Sequence, residues 1–413
     1  MSSLLIENIG LLATPSGHSA NKGKRQREVA FTRDAYIYIE DDRIVEIGAG
    51  EGPEAEQIID AQGKLVTPGL VDAHTHLIFG GWRQYEMKQK LDNVPYLEIL
   101  KAGGGILSTV NATKQASKEE LIEKGRKVLD EMLGYGSTTV EAKSGYGLCL
   151  EEEVKQLEAV KELNETHPID LVSTFLGAHA LPQEYKENRK AFIDKLCDEM
   201  IPYVAEHQLA EFCDVFCEKG VFNVQETERI LKTGQQYGLR SKIHADEIEA
   251  IGGSVLAGEI GAISAEHLIV CDDKGIESLS SGNTIACLLP ATSFYLGADY
   301  ARARDMIDHD VAVALSTDFN PGSCPCLNMQ FVMNLGCMKY KMTPEEVLNA
   351  VTLNGAAAIG RADTIGSIET GKQADILIWD SPDLNYIFYR LGSNLLNKDI
   401  KKGKVVVDYE KAR

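Results

Sequence analysis

Two histidines separated by one residue, His74 and His76, close the apolar run Leu65-Val66-Thr67-Pro68-Gly69-Leu70-Val71-Asp72-Ala73. In an extended strand, residues i and i+2 point to the same side, so both imidazoles face one point. Two neutral imidazoles converging in this way are half of a transition-metal site. The plainer use of such a pair is hydrogen bonding on a barrel strand. The rest of the chain supplies matching partners. His179 ends the run 171–178, His244 ends 239–243, His267 ends 262–266 and Asp318 ends 311–317. One histidine ending a strand is commonly a structural hydrogen bonder; five and an aspartate doing so in register are poorly explained that way. His18, His167, His207 and His309 fall in polar loops or at helix ends and read as surface residues.

The expected metal set is His74, His76, His244 and Asp318, completed by a water. Three imidazoles and one carboxylate suit one zinc ion per subunit, with iron as the second choice. A bound metal acidifies its water and polarises a carbonyl, so the nucleophile is hydroxide and no serine or cysteine is needed. Glu247, three residues beyond His244, is placed to position or deprotonate that water, the alternative being an ordinary loop acid. Asp318 reads as a proton shuttle to a leaving nitrogen and His267 as a partner of the water. Lys143 ends an inner strand and, if carbamylated, could bridge two metals. It falls on the second strand, however, while the fourth ends at Glu218, so one metal is the preferred reading.

Arg83 follows the histidine pair by seven residues. A guanidinium at the mouth of an acidic barrel suits a substrate carboxylate held in a fork; a surface salt bridge is the alternative. Ser144-Gly145-Tyr146-Gly147 is a flexible turn carrying one phenol, and Asn320-Pro321-Gly322-Ser323 a loop able to offer polar groups to a ligand. Gly103-Gly104-Gly105 lacks the Lys-Ser/Thr of a phosphate cradle and reads as a loop hinge.

These residues need strands that end together. From about residue 67, apolar runs alternate with amphipathic helices, a pattern of parallel strands with helical crossovers. Ser117 and Glu120 form a capping box for a helix to about Leu133. Further helices are expected over 151–163, 186–204 and 225–237 (the last closed by Gly238), and after Thr343-Pro344. Eight candidate strands end near His76, Lys143, His179, Glu218, His244, His267, Pro290 and Asp318. That is the count of a (β/α)8 TIM-type barrel, expected over 67–360. Hairpin-like strands before it, and strands at 366–368, 374–379 and 403–407 after it, predict a small composite β-sandwich from 1–66 and 361–413. The basic tract Lys22-Gly23-Lys24-Arg25-Gln26-Arg27 reads as a solvated loop.

Composition narrows the partners. The chain has 413 residues, 44% hydrophobic and 25% charged, as in ordinary globular proteins. A net charge of -20 argues against nucleic acid and anionic membranes, though a local cation could still bind a small anion. Neither a membrane span nor a signal peptide is apparent, so a cytoplasmic protein is expected. Nine scattered cysteines without C-x-x-C spacing read as free thiols. A homodimer is the base-rate expectation for a soluble enzyme.

Taken together, Pro-Gly-Leu-Val-Asp-Ala-His-Thr-His (68–76), His244, His267, Asp318 and Gly366-Ser367-Ile368-Glu369-Thr370-Gly371-Lys372-Gln373-Ala374-Asp375 resemble the metal-dependent amidohydrolase superfamily over almost the whole chain. The finer motifs are Leu77-Ile78-Phe79-Gly80-Gly81-Trp82-Arg83, Lys143-Ser144-Gly145-Tyr146-Gly147-Leu148, Phe175-Leu176-Gly177-Ala178-His179-Ala180-Leu181-Pro182, His244-Ala245-Asp246-Glu247 and Ser316-Thr317-Asp318-Phe319-Asn320-Pro321-Gly322-Ser323. They resemble the branch that opens the cyclic amide of 4-imidazolone-5-propionate to N-formimidoyl-L-glutamate in histidine degradation. The resemblance implies a single zinc or iron at His74, His76, His244 and Asp318. It also implies substrate contacts from Arg83, Tyr146, His179, Glu247, Asn320, Gly322 and Ser323. A superfamily member acting on neutral nucleobases would have no carboxylate for Arg83, and a non-catalytic scaffold would be expected to lack some ligands.

Overall fold

The computed structural model describes residues 2–92, 94, 98 and 103–411. Five strands precede the barrel: β1 (Ser3–Thr14), β2 (Ala30–Glu40), β3 (Arg43–Ala49), β4 (Gln57–Asp60) and β5 (Leu65–Pro68). The barrel strands are β6 (Leu70–Asp72), β7 (Ser137–Lys143), β8 (Asp170–Ala178), β9 (Phe212–Cys217), β10 (Arg240–Ala245), β11 (Ser264–His267), β12 (Ile285–Leu288) and β13 (Val313–Leu315). Then come β14 (Ile376–Trp379), β15 (Leu396–Lys401) and β16 (Lys404–Asp408).

The eight strands β6 to β13 pair in parallel and in sequence order. The ring closes above β13 and β6, where the Asp318 N–H donates to His74 O (3.1 Å) and the His76 N–H to Phe319 O (2.8 Å). Closure therefore runs through the backbone of three of the proposed ligands. Outward-facing residues such as Ile243, Ala245, Val313 and Leu315 pack under the crossover helices in the largest apolar core.

The other sheet runs β16-β15-β14-β5-β1-β2-β3, with β4 beside β1, so both ends of the chain build it. Ile6, Ile9, Ile37 and Ile39 from one end share a core with Ile376, Ile378 and Ile400 from the other. This is the expected companion to the barrel. Asp170 at the start of β8 ties the two units together, meeting Lys401 Nζ at 2.8 Å and Gln373 Nε2 at 3.0 Å.

Several local expectations need correction. Residues 366–368 are not a strand: Gly366 takes φ +88, and the Lys372 ammonium gathers Ser367 Oγ (2.6 Å), Ala362 O (2.7 Å) and Gly17 O (2.6 Å), winding the segment round itself. The tract at 22–27 is not simply a solvated loop. It forms a 3-10 turn, Gly23–Arg27, whose buried Gln26 takes both backbone groups of Val313 on β13 (2.9 and 3.0 Å). The helix expected over 186–204 runs without a break from Arg189 to Glu206 but is not α throughout. A wide π turn, Leu196–Met200, is set between the α segments Arg189–Lys195 and Ile201–Glu206, just before Pro202, which has no N–H to continue the ladder. His167 is buried rather than on the surface, 3.2 Å from Asp130 and accepting the Ile169 N–H. The helices Lys118–Leu133, Leu150–Thr166, Val224–Gln236 and Pro344–Ala350 stand close to where the sequence pattern puts them.

Candidate metal centre

His74 and His76 lie just beyond β6, His244 near the end of β10, His267 at the end of β11 and Asp318 three residues past β13. These positions share the C-terminal mouth of the barrel, where one side chain from each strand end can reach a common point. Ligand atoms of His74, His76 and His244 lie within 4.8 Å of one another, as do those of His74, His267 and Asp318. The His74 and His244 ring centroids are 4.6 Å apart. Asp318 Oδ1 stands 3.5 Å from His74 Nε2 and 3.6 Å from His76 Nε2, while its Oδ2 accepts a hydrogen bond from Thr292 (2.6 Å).

A cation fits this arrangement. Nε2 of His74, Nε2 of His244 and Oδ1 of Asp318 are buried and have no hydrogen-bond partner among the described residues. Leaving such atoms unsatisfied costs about 1–3 kcal/mol each, a penalty that a shared ion would remove. On the far sides, His74 Nδ1 hydrogen-bonds Glu266 Oε2 at 2.6 Å, while Asp214 Oδ2 stands 3.0 Å from His244 Nδ1 as an ion-pair contact without hydrogen-bond alignment. Burial, with the charges of Lys143 and His179 respectively, drives the pKa values of His74 and His76 well below the ordinary histidine value, keeping both neutral and able to ligate. At His244 burial pulls the same way, but the Asp214 carboxylate outweighs it and the pKa rises.

Glu247 leans over the site with one oxygen 3.8 Å from His267 Nε2. Burial pushes its pKa up to about 7, and His267, also through burial, is pushed down to about 4. Glu218, which closes β9, accepts the N–H groups of Ile248 (2.8 Å) and Glu249 (3.2 Å) and so fixes the loop that carries Glu247.

Three loops surround this centre. His179 stacks on His76 (4.9 Å between centroids, 15°) with Nδ1 3.0 Å from Gly145 O, and burial lowers its pKa to about 3. The Tyr146 ring is 5.3 Å from His179 and 5.8 Å from His76. The Tyr146 turn is shaped from below by Glu153, whose carboxylate accepts the N–H groups of Gly145, Gly147 and Leu148 (2.9, 2.7 and 2.8 Å). Asn320 Nδ2 donates to Asp318 O (2.8 Å), and Asn320 Oδ1 accepts from Gly322 N (2.8 Å) and Ser323 N (2.7 Å). Gly322 in turn touches Arg83.

Arg83 is no surface charge. Its side chain is 8% exposed, and Nε and Nη2 engage the buried Glu86 carboxylate at 2.9 and 2.8 Å. Glu86 also accepts the Gly105 N–H (2.7 Å), so the glycine run ends on a carboxylate that steadies Arg83. Lys143 lies inside the barrel between Glu141 (2.7 Å) and Asp214 (2.9 Å). Burial opposes its charge, yet Asp214, Glu141 and Glu266 together raise its pKa above the ordinary lysine value. An ammonium held so firmly is a poor target for carbamylation, which needs the neutral amine.

Glu86, Glu153, Asp214, Glu218, Glu266 and Thr292 are the supporting residues that sequence reasoning missed. A hint exists for two of them: Glu266 directly precedes His267, and Glu218 ends a strand.

The amidohydrolase family model matches residues 65–406. The chain is 53% identical over 416 residues to the imidazolonepropionase of Alkaliphilus metalliredigens (strain QYMF), covering 99% of both chains. To that of Alkaliphilus oremlandii (strain OhILAs) it is 54% identical over 411 residues, covering 98% of this chain and 97% of the other. Among solved structures, a mutant atrazine chlorohydrolase from Arthrobacter aurescens TC1, complexed with zinc and atraton, superposes with a TM-score of 0.74 at 18% identity, over 98% of this chain and 96% of that one.

Proposed function

The chain belongs to the amidohydrolase family and, within it, to the imidazolonepropionases, and from that premise we infer that it hydrolyses the cyclic amide C–N bond of 4-imidazolone-5-propionate to give N-formimidoyl-L-glutamate. The near-full-length likeness to the two Alkaliphilus proteins carries this reading, and the site supports it with chemistry. His74, His76, His244 and Asp318 would hold one ion per subunit, zinc in the first place and iron in the second. That ion would supply a water acidified toward neutrality and a Lewis acid for the ring carbonyl.

The chain's own residues divide the remaining work. Glu247, with a pKa near 7, takes up the proton of the attacking water and can release it again at neutral pH. His267 hydrogen-bonds that water, and Asp318 takes the second proton of the added water and passes it to the ring nitrogen as the C–N bond breaks. Arg83, fixed by Glu86, anchors the propionate carboxylate. Tyr146, His179, Glu247 and the loop at Asn320, Gly322 and Ser323 hold the ring. Residues 67–360 serve as the catalytic unit, and 1–66 with 361–413 as its companion. No described helix is long and apolar enough to cross a membrane. A cytoplasmic homodimer acting on a small carboxylate, with no nucleic-acid or membrane partner, completes the proposal.

The experiment is purified protein with fresh 4-imidazolone-5-propionate, following loss of the ring chromophore and identifying the product by mass. Formimidoylglutamate should form, stop on chelation and resume with added metal. A folded, metal-loaded sample that leaves the substrate intact would overturn the assignment.

A further inference from the structure

Beneath the proposed ligands runs a row of charges to which the reaction above gives no part. Glu141 and Lys143 on β7, Asp214 on β9, Lys242 on β10 and Glu266 on β11 are all fully buried in the barrel. They alternate in sign. His74 Nδ1 is 2.6 Å from Glu266 Oε2, and Glu266 Oε1 is 3.5 Å from Lys242 Nζ. Lys242 Nζ is 3.6 Å from Glu141 Oε1, which is 2.7 Å from Lys143 Nζ. Lys143 Nζ is 2.9 Å from Asp214 Oδ2, and that same oxygen is 3.0 Å from His244 Nδ1. The row starts on one histidine of the centre and ends on another.

Stability does not account for it. Each buried ion costs several kcal/mol of desolvation, and apolar packing of the same volume commonly does as well or better. Barrels usually fill such layers with branched aliphatic side chains. What the row provides is direction. Glu266 hydrogen-bonds the Nδ1 side of His74, and Asp214 sets its charge 3.0 Å from Nδ1 of His244, so each favours an Nε2 turned toward the shared point. Lys143 and Lys242 each lie within ion-pair distance of the carboxylate beyond, at 2.9 and 3.5 Å, and Glu141 lies between the two lysines. With three carboxylates against two ammoniums, the row carries one formal negative charge in excess, and Asp318 adds another beside it. That balance suits a divalent cation at the mouth.

We propose that Glu141, Lys143 and Lys242 are positioning residues for the metal ion: through Asp214 and Glu266 they join His74 and His244 into one unit, so that a break anywhere along the row loosens both ligands. The proposal rests on the assignment of His74 and His244 as ligands.

The test is zinc affinity, measured by competition with a chromophoric chelator on the full chain, and the absorption spectrum of the cobalt(II)-loaded protein. Wild type should bind one ion, and His244→Ala should lose it; if His244→Ala binds as wild type does, the ligand assignment itself fails. Lys143→Met and Lys242→Met should each weaken zinc about tenfold to a hundredfold and shift the cobalt spectrum, with the metal-free protein still folded. The double variant should lie near the weaker single variant, because one unit can be broken only once. Zinc affinities within twofold of wild type, or losses that multiply in the double variant, would overturn the proposal. Glu141→Gln keeps the oxygen that accepts from Lys143 Nζ and from the Thr174 hydroxyl, and it guards against misfolding of the lysine variants. It should weaken zinc as they do, and wild-type affinity there counts equally against the proposal.

Discussion

A Cβ placed on Gly322 would stand 2.2 Å from Nη1 of Arg83, so the guanidinium can lie where it does only against a glycine. Arg83 cannot slide aside easily, because Nε and Nη2 are held by Glu86 at 2.9 and 2.8 Å. Gly322→Ala is therefore expected to push the guanidinium off its line and raise KM for imidazolonepropionate by about tenfold or more, since displacements near 1 Å carry costs of that order. Metal content and melting temperature should stay close to wild type. Steady-state kinetics alongside metal analysis decides the matter. An unchanged KM would separate Arg83 from the substrate carboxylate. Arg83→Lys should not restore binding, because an ammonium cannot share a fork between Glu86 and a second carboxylate.

Glu153 is expected to matter for binding although it lies behind the pocket. Glu153→Ala would leave the N–H groups of Gly145, Gly147 and Leu148 without their acceptor. At about 1–3 kcal/mol for each buried donor, a destabilisation of roughly 3 kcal/mol or more is expected in urea unfolding. The same turn carries Tyr146 and gives His179 its carbonyl partner at 3.0 Å, so KM should rise as well. Full stability in the alanine variant would show that the turn holds itself.

The convergence of His74, His76, His244 and Asp318 is legible in the sequence because strand geometry is local: a two-residue period and a run ending at the barrel mouth suffice to place each side chain. Their supports are not legible. Glu266 reaches His74 across 192 residues, and a glutamate in a sequence looks the same whether it faces water or an imidazole. Lys143 shows the same gap, since its position on β7 can be read but its partners Glu141 and Asp214 depend on barrel register. The capping box at Ser117 and the proline at the first helical position, Pro344, mark helix starts well, whereas the π turn at Leu196–Met200 reflects one missing N–H inside an otherwise periodic stretch. Gln26 misleads for a different reason: a polar residue in a basic tract reads as solvated until an unpaired strand edge turns up beside it.

Glu247 sets an expectation for the pH profile. Burial raises its carboxyl to about 7, so the base form fills as pH rises through that value. The kcat/KM profile should therefore ascend with pH and level off near or below 7, since a cation bound nearby favours the carboxylate. Glu247→Gln should remove that ascending limb along with most of the activity. The sign for stability is opposite. Between the ordinary value of 4.5 and about 7 the folded chain keeps a proton that the unfolded chain has released, so this group's contribution falls as pH rises across the window. A glutamine variant that keeps the ascending limb would move the base elsewhere, with His267 the next candidate.

Asp170 should behave in the opposite sense, and it reports on the joint between barrel and sheet. Burial works against its charge, but Lys401, Lys402 and Gln373 outweigh burial and hold its pKa below the ordinary 3.8. Its contribution is therefore complete above 3.8 and is lost as pH falls through the lower folded value. Asp170→Asn keeps the size but loses the charge that meets Lys401 at 2.8 Å and Lys402 at 2.5 Å. With the carboxylate partly open to solvent, about 1 kcal/mol is expected from its loss at neutral pH. Urea unfolding of wild type and variant at neutral pH should show that gap, and below 3.8 the two curves should draw together. No gap at neutral pH would make Asp170 a bystander, and a gap of constant size at both pH values would mean that its charge is not what holds the joint.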